Sequence, residues 1–233
     1  MRRVAIVTEA TSPVGSACAV ALVDQGFTVV VCNAPESGTI PALEATPRIL
    51  AKPMDLRDLE SCLAEVAAIE AQVGPIAVLV NKGGIASNAS FATTSRAAWA
   101  EAVDSSLGNF FNMARAVWTS MAERAFGRIV NFGTLDGQRG RSGGVSDSAA
   151  QSGVHGFTKA LALEGGRAGI TVNMLAMGHV EGDMAPAEAA ARIPVGRLAR
   201  PEEIARAVLF LCSDQAGYIT GSTLSINGGE HMF

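Results

Sequence analysis

The sequence predicts an α/β fold, one doubly wound parallel sheet of about seven strands with helices on both faces, in a single domain spanning residues 1–233. Three observations predict it. Short β-branched runs alternate with amphipathic stretches of helical period along the whole chain. The runs are continuously apolar, as strands buried on both faces are, and consecutive parallel strands need helical crossovers. A chain of 233 residues, 48% hydrophobic and 17% charged with 25 glycines, suits one domain with a large core and many tight turns.

Each element has its own signal. Residues 4–7 form a β-branched run bounded by Thr8. Residues 14–25 are Ala-rich and amphipathic and stop at Gly26, a helix C-cap residue, before a second strand at 27–31. A strand at 48–51 leads into Met54-Asp55-Leu56 and a helix over 59–72. The next strand, 76–80, ends at Asn81-Lys82-Gly83-Gly84, and a long helical region covers about 95–123. A strand at 128–132 precedes a glycine-rich loop and a helix from Val145; a strand at 170–176, a helix at 201–212 and a strand at 223–226 complete the series. The chain carries no low-complexity linker and no repeat beyond its βα units, so a single Rossmann-type domain is expected.

Charge and cysteine usage exclude several function classes. A net charge of −4 without any block of Lys or Arg argues against nucleic acid and acidic membrane surfaces, which need a concentrated basic face. Cys18, Cys32, Cys62 and Cys212 make no CxxC or CxxH pair, so neither zinc nor a disulfide framework is expected, and reduced thiols fit a cytoplasmic location. The start MRRVAIVTEA is too short in apolar residues for a signal sequence, and no run approaches a membrane span.

The functional signal lies in IVNFGTLDGQRGRSGGVSDSAAQSGVHGFTK, residues 129–159. Thr134 falls just past a strand end and Asp147 in the first turn of a helix, where Gln151, four residues on, shares its face. This layout resembles the active-site segment of short-chain dehydrogenases/reductases, in which a Ser after the strand is followed by a Tyr and, four residues later, a Lys. Here Thr134, Asp147 and Gln151 hold those places. The C-terminal third, ITVNMLAMGHVEGDM and IPVGRLARPEEIARAVLFLCSDQAGYITGSTLSINGG, is similar to bacterial 3-oxoacyl carrier-protein reductases and 3-hydroxyacyl-CoA dehydrogenases of that family.

What the resemblance implies can be followed residue by residue. The family's TGxxxGxG turn aligns with Thr8, Glu9, Pro13 and Gly15, so only the last glycine is kept. A proline removes an N–H, and a bare carboxylate about 4 Å from a phosphate at an effective dielectric near 20 would repel it by about 4 kcal/mol. Asn33 stands where an acidic residue often binds the ribose, Asp55 matches an adenine-contacting Asp or caps a helix, and Asn81 opens the turn after the fourth strand. Gly182 stands for a threonine that holds the nicotinamide amide. These changes lead us to expect no cofactor, or NAD or NADP only if the degenerate cleft still binds. Lys82 is placed to reach Glu9, because the first and fourth strands of such a fold are neighbours.

At the catalytic places, a Tyr donates the proton, a Lys tunes it, a Ser orients the carbonyl and an Asn supports a water relay in the family. The Asn position falls on Ser106, and Thr134 keeps a hydroxyl. With an ordinary pKa of about 3.9 only about one Asp147 in a thousand would carry a proton at neutral pH, unless burial raises it. Arg139 and Arg141 are candidate partners for a CoA phosphate; His155 is assigned to a subunit interface, while His179 has no obvious partner and His231 lies near the C-terminus. The stretch APAEAAAR is a shorter lid than related reductases have. Phe110, Phe111, Met113, Val117, Trp118, Val154, Phe157, Leu161 and Leu163 give the two long helices broad apolar faces of the kind the family uses to oligomerise.

From these losses the expectation is a catalytically silent subunit that docks onto a paralogous active dehydrogenase subunit, with no catalytic residue, no metal, no nucleic acid and no membrane. The alternatives are a lyase, hydratase or isomerase using Asp147 and Thr134, an active but atypical NAD(P)-dependent oxidoreductase, and a small-molecule sensor.

Overall fold

A computed structural model describes residues 3–33, Leu43, 45–83, 89–183 and 188–232. Seven strands form one parallel sheet: β1 (Val4–Thr8), β2 (Thr28–Asn33), β3 (Ile49–Pro53), β4 (Ile76–Asn81), β5 (Gly127–Thr134), β6 (Ile170–Met177) and β7 (Thr223–Ile226). Their order is β3-β2-β1-β4-β5-β6-β7, so the winding reverses between β1 and β4. In open α/β folds ligands bind at such a reversal, along the C-terminal edge of the sheet.

Alternate strand residues feed two cores. Ala5, Val7, Val29, Val31, Val78, Val80, Val130 and Phe132 pack against helices α1 (Pro13–Asp24) and, near the C-terminus of the chain, Pro201–Cys212. Val4, Ile6, Val30, Leu79, Ile129 and Val172 face the other side, under α2 (Leu59–Gln72), the helix Asn109–Glu123 and the helix Val145–Gly165. Burial of each such side chain stabilises the fold by about 1.5 to 3 kcal/mol, which is why both faces must be covered.

The long helical region expected over 95–123 is divided. Helix α3 (Arg96–Val103) passes through a π-turn at Asp104–Gly108 into α4 (Asn109–Glu123). After β5 come a short helix, α5 (Asp136–Arg139), and then α6 (Val145–Gly165). A one-turn helix, α7 (Ala189–Arg192), precedes α8 (Pro201–Cys212), which starts with Pro201 and with Glu203 accepting from the Arg200 N–H at 2.9 Å. The expected lid is described only from residue 188 onward, Met184 and Gly84 lie outside the described residues, and so does the tail's last residue, Phe233. Among the described residues, no helix is long and apolar enough to cross a membrane. The four cysteines are free and buried, and burial pushes the thiols of Cys18 and Cys32 up to about 12.

Two local expectations are corrected. Thr134 is the last residue of β5 and not a loop residue beyond it. The cap of α2 is Asp58, whose carboxylate accepts from the Glu60 N–H at 3.1 Å; Asp55 makes an Asx-type turn with the Arg57 N–H at 3.0 Å and remains exposed beside Arg57.

A candidate active site at the edge of the sheet

The ends of β4, β5 and β6 and the first turns of α6 enclose a cleft of about 430 Å³ including its mouth, lined by Lys82, Gly83, Phe132, Gly133, Thr134, Asp147, Gln151 and Met177. It continues into a wider recess lined by Lys82, Thr134, Asp136, Arg139, Gly178 and His179, among others. Thr134, from the end of β5, and Asp147 and Gln151, from the first turns of α6, thus meet in one place. Ser106 joins them from the π-turn, accepting a hydrogen bond from Gln151 Nε2 at 3.2 Å. A π-turn at this point adds a residue to the helix and turns Ser106 inward, in keeping with the frequent use of such bulges at functional sites.

Gly137 makes the close approach of α5 to α6 possible. A Cβ there would lie 2.9 Å from both the carbonyl carbon and the Cβ of Gln151, so only glycine lets the loop after Thr134 settle on the helix that carries Asp147.

Asp147 is not an ordinary surface carboxylate. Its side chain is 10% exposed, and burial, with Asp136 second, raises its pKa, while Arg141 pulls it down. The guanidinium of Arg141 bridges the two acids, with Nε 2.7 Å from Asp136 Oδ2 and an Nη 3.7 Å from Asp147 Oδ2. The balance leaves a carboxylic acid able to hold its proton further toward neutrality than an exposed aspartate can. Beside it, Thr134 Oγ1 and Gln151 Oε1 are buried without a hydrogen-bond partner among the described residues. Orphaned polar atoms that converge on a cleft are suited to a polar ligand, because leaving them unpaired costs about 1 to 3 kcal/mol each.

Beyond this cleft the charges at the ends of β1 and β4 are matched. Glu9 Oε2 lies 3.6 Å from Lys82 Nζ, across the ends of β1 and β4. Glu9 adopts a left-handed φ of 49°, a conformation a glycine takes without strain. Its carbonyl accepts from Ser12 Oγ at 2.9 Å, and Ser12 Oγ in turn caps α1 through the Gly15 N–H at 3.1 Å. Gly15 is required there, since a Cβ would lie 2.5 Å from the Glu9 carbonyl oxygen. Pro13 packs against Gly182, whose added Cβ would sit 2.9 Å from Pro13 Cγ.

A dinucleotide fits the residues present on both sides of the Glu9–Lys82 pair. Asn33 Oδ1, at the end of β2, is a buried acceptor without a partner among the described residues and suits ribose hydroxyls. Thr134 and Gln151 offer orphaned polar atoms at the other end. Between them an anionic pyrophosphate would meet a carboxylate already paired with an ammonium, so the repulsion expected for a bare Glu9 is largely offset.

The structure also places the other residues singled out in the sequence. Asn81 is buried and donates to the Phe110 carbonyl at 3.0 Å and to Asn131 Oδ1 at 3.3 Å, while Asn131 Nδ2 donates to Thr158 at 3.0 Å; these amides fasten the strand ends to the helices behind them. Asp55 is exposed and outside the cleft. Arg139, at the recess, pairs with Glu230 at 3.2 Å, and Arg141 pairs with Asp136 and Asp147. His179, expected to stand alone, has Nε2 3.6 Å from Glu230 Oε1. His155 Nδ1 meets Thr223 Oγ1 at 3.2 Å and so packs on β7. Asp136 and Glu230 were missed by sequence reasoning; the one available signal was a carboxylate two residues beyond Thr134, within a loop that also carries arginines.

A family model described as Enoyl-(Acyl carrier protein) reductase matches residues 10–231, and the chain belongs to this branch of the short-chain dehydrogenase/reductase family. Its similarity to individual proteins extends end to end. It is 42% identical to the acetoacetyl-CoA reductase of Shinella zoogloeoides, with 99% of each chain covered, and 41% identical to that of Rhizobium meliloti, with 100% of each covered. A 3-oxoacyl-(acyl-carrier-protein) reductase from Vibrio harveyi is 36% identical over 99% of this chain and 98% of its own.

These matches correct the expectation of a silent subunit that only completes an active paralogue. Relatives that align over the full chain are named as reductases in their own right. The expectation rests on residue identities at the cofactor and catalytic positions, counted together without their surroundings in the fold. Assembled in the fold, the replacements retain an acid with a raised pKa, a hydroxyl free to donate and a cation in one cleft.

Proposed function

We propose that the chain is an active, atypical NAD(P)-dependent oxidoreductase of short 3-oxoacyl-CoA thioesters, with acetoacetyl-CoA the first substrate to try. The observation that carries this reading is Asp147: a buried carboxyl of raised pKa in the same cleft as the Thr134 hydroxyl, which has no partner among the described residues, within a chain whose full-length relatives include proteins named acetoacetyl-CoA reductase. Asn33, Thr134 and Gln151 would hold the dinucleotide's hydroxyl and amide groups, and Lys82 would offset Glu9 beneath the pyrophosphate. A reduced nicotinamide supplies a hydride to the carbonyl carbon. Thr134 donates a hydrogen bond to the substrate's 3-oxygen and orients it. Asp147 gives that oxygen a proton as the C=O bond becomes single, and regains one from solvent. Positioned acid catalysis of this kind contributes about 10² to 10⁴ in rate. The reading goes with a cytoplasmic location and with an oligomer formed through α4 and α6: of the apolar residues on those helices, Phe110, Met113, Val117 and Val154 are core, while Phe111 and Leu163 are exposed.

The test is NADPH and NADH oxidation with acetoacetyl-CoA by the purified chain alone. Turnover that falls at least about a hundredfold in Asp147→Asn supports the reading. Absence of nicotinamide oxidation refutes it, and turnover of an acyl-CoA that needs no nicotinamide would favour the lyase, hydratase or isomerase alternative.

A further inference from the structure

The cleft that holds Asp147 and Thr134 has a second charged side chain in its wall, Lys82, which also lines the adjoining recess. Resting on the substrate class proposed above, we propose that Lys82 is a catalytic residue whose ammonium binds the oxygen on C3 of the 3-oxoacyl thioester and stabilises the negative charge that gathers there.

Its placement suits that work. The Lys82 backbone is pinned at the end of β4 from both sides by one buried hydroxyl: its N–H donates to Thr8 Oγ1 at 2.8 Å, and Thr8 Oγ1 donates to its carbonyl at 2.5 Å. The root of the side chain is therefore fixed. Its far end is anchored by Glu9 at 3.6 Å, and the side chain is only 15% exposed. An ammonium has three donors, so a carboxylate on one side leaves capacity for a ligand on the other. A charge shielded from water in this way acts on a developing oxyanion far more strongly than it would in bulk solvent.

Among the described residues, Lys82 is the one lysine or arginine that lines the inner cleft. Gln151 is neutral where a lysine stands in the family pattern. Arg139 is committed to Glu230, and Arg141 to Asp136 and Asp147. Positive charge thus enters the cleft from the end of β4, whereas the acid enters from α6. Lys82 stabilises charge on the oxygen and Asp147 supplies the proton, so that the two functions sit on separate elements.

The decisive measurement uses acetoacetyl-CoA without any nicotinamide. An ammonium beside the 3-oxygen favours the enolate of the bound thioester, the C2 proton passing to solvent, and the conjugated enolate absorbs in the near ultraviolet where the keto form does not. Difference spectra at saturation, with saturation established by calorimetry, are expected to show this band in the wild type and in Lys82→Arg and to lose it in Lys82→Met. Lys82→Gln serves as a second neutral variant if the methionine chain does not fold. The neutral variants leave Glu9 unpaired beside the pyrophosphate and should bind NADPH more weakly, so kcat for reduction is read at saturating NADPH, where it should fall by about 10² to 10³, the usual cost of removing one oxyanion-binding group. No band in the saturated wild type, an unchanged band in both neutral variants, or no binding of acetoacetyl-CoA at millimolar concentration overturns the assignment. A wild type that shows the band but oxidises no NADPH keeps Lys82 as the oxyanion site and removes the reductase reading. Reduction without the band does the reverse.

Discussion

Replacing Arg141 by glutamine should move the pH dependence of the reaction upward, and the size of the movement follows from its geometry. The guanidinium lies 3.7 Å from Asp147 and 2.7 Å from Asp136. At an effective dielectric near 20, the 3.7 Å pair attracts by about 4.5 kcal/mol before desolvation. Arg141 is 31% exposed, so its net effect belongs between that of an exposed pair and that of a buried one, about 1 to 2 kcal/mol. That corresponds to about one pKa unit. Asp147 acts when protonated, so kcat is high below its pKa and falls as pH rises through it. Loss of the arginine raises that pKa further and shifts the falling limb up by about one unit. Asp136→Asn must do the opposite, because Asp136 is one of the charges that raise Asp147 and its removal leaves Arg141 to Asp147 alone. The assay is the pH profile of kcat for NADPH oxidation by acetoacetyl-CoA, from about pH 5 to 9, in the wild type and both variants. If the limb stays fixed in both, or moves the same way in both, Asp147 is not the proton donor.

Three further outcomes are expected. Glu9→Gly should relieve a left-handed residue worth about 1 kcal/mol and remove a carboxylate from the ends of β1 and β4, so Tm rises or holds and NADPH binds more tightly in a fluorescence titration; weaker binding would mean that Glu9 helps hold the cofactor. Gly137→Ala should cost about 1 to 3 kcal/mol by overpacking α5 against α6, read as a lower midpoint in urea, and an unchanged midpoint would show that the two helices separate easily. The stability of the wild type should fall as pH rises from about 4 through the raised pKa of Asp147, since the folded state binds the extra proton in that window. Asp147→Asn should flatten this slope in thermal melts, and an unaltered slope would place the titration elsewhere.

What the sequence determined by itself was the set of local patterns. The apolar runs of β1, β2, β4, β5 and β6, buried along nearly their whole length, and the helical periods between them are short-range signals, and they fix a doubly wound parallel sheet because strands buried on both faces and joined by helices have few other ways to pack; the edge strands β3 and β7 are largely exposed. Pro13, Gly26 and Pro201 mark helix ends through their own backbone chemistry. The replacements at Glu9, Thr134, Asp147 and Gln151 were equally plain. Their meaning was not, because it depends on partners far away in the chain. Lys82 meets Glu9 only because β4 lies beside β1. The pKa of Asp147 is raised because α5 folds back on α6, burying its carboxyl and bringing Asp136 near, while Arg141 limits the rise. Arg139, which lines the recess, meets Glu230, 91 residues away. A charge is set by what surrounds it in three dimensions, since both desolvation and Coulomb energy depend on distance in space and not along the chain. Tertiary structure therefore decided what residue identity alone left open: whether these substitutions emptied the site or rebuilt it.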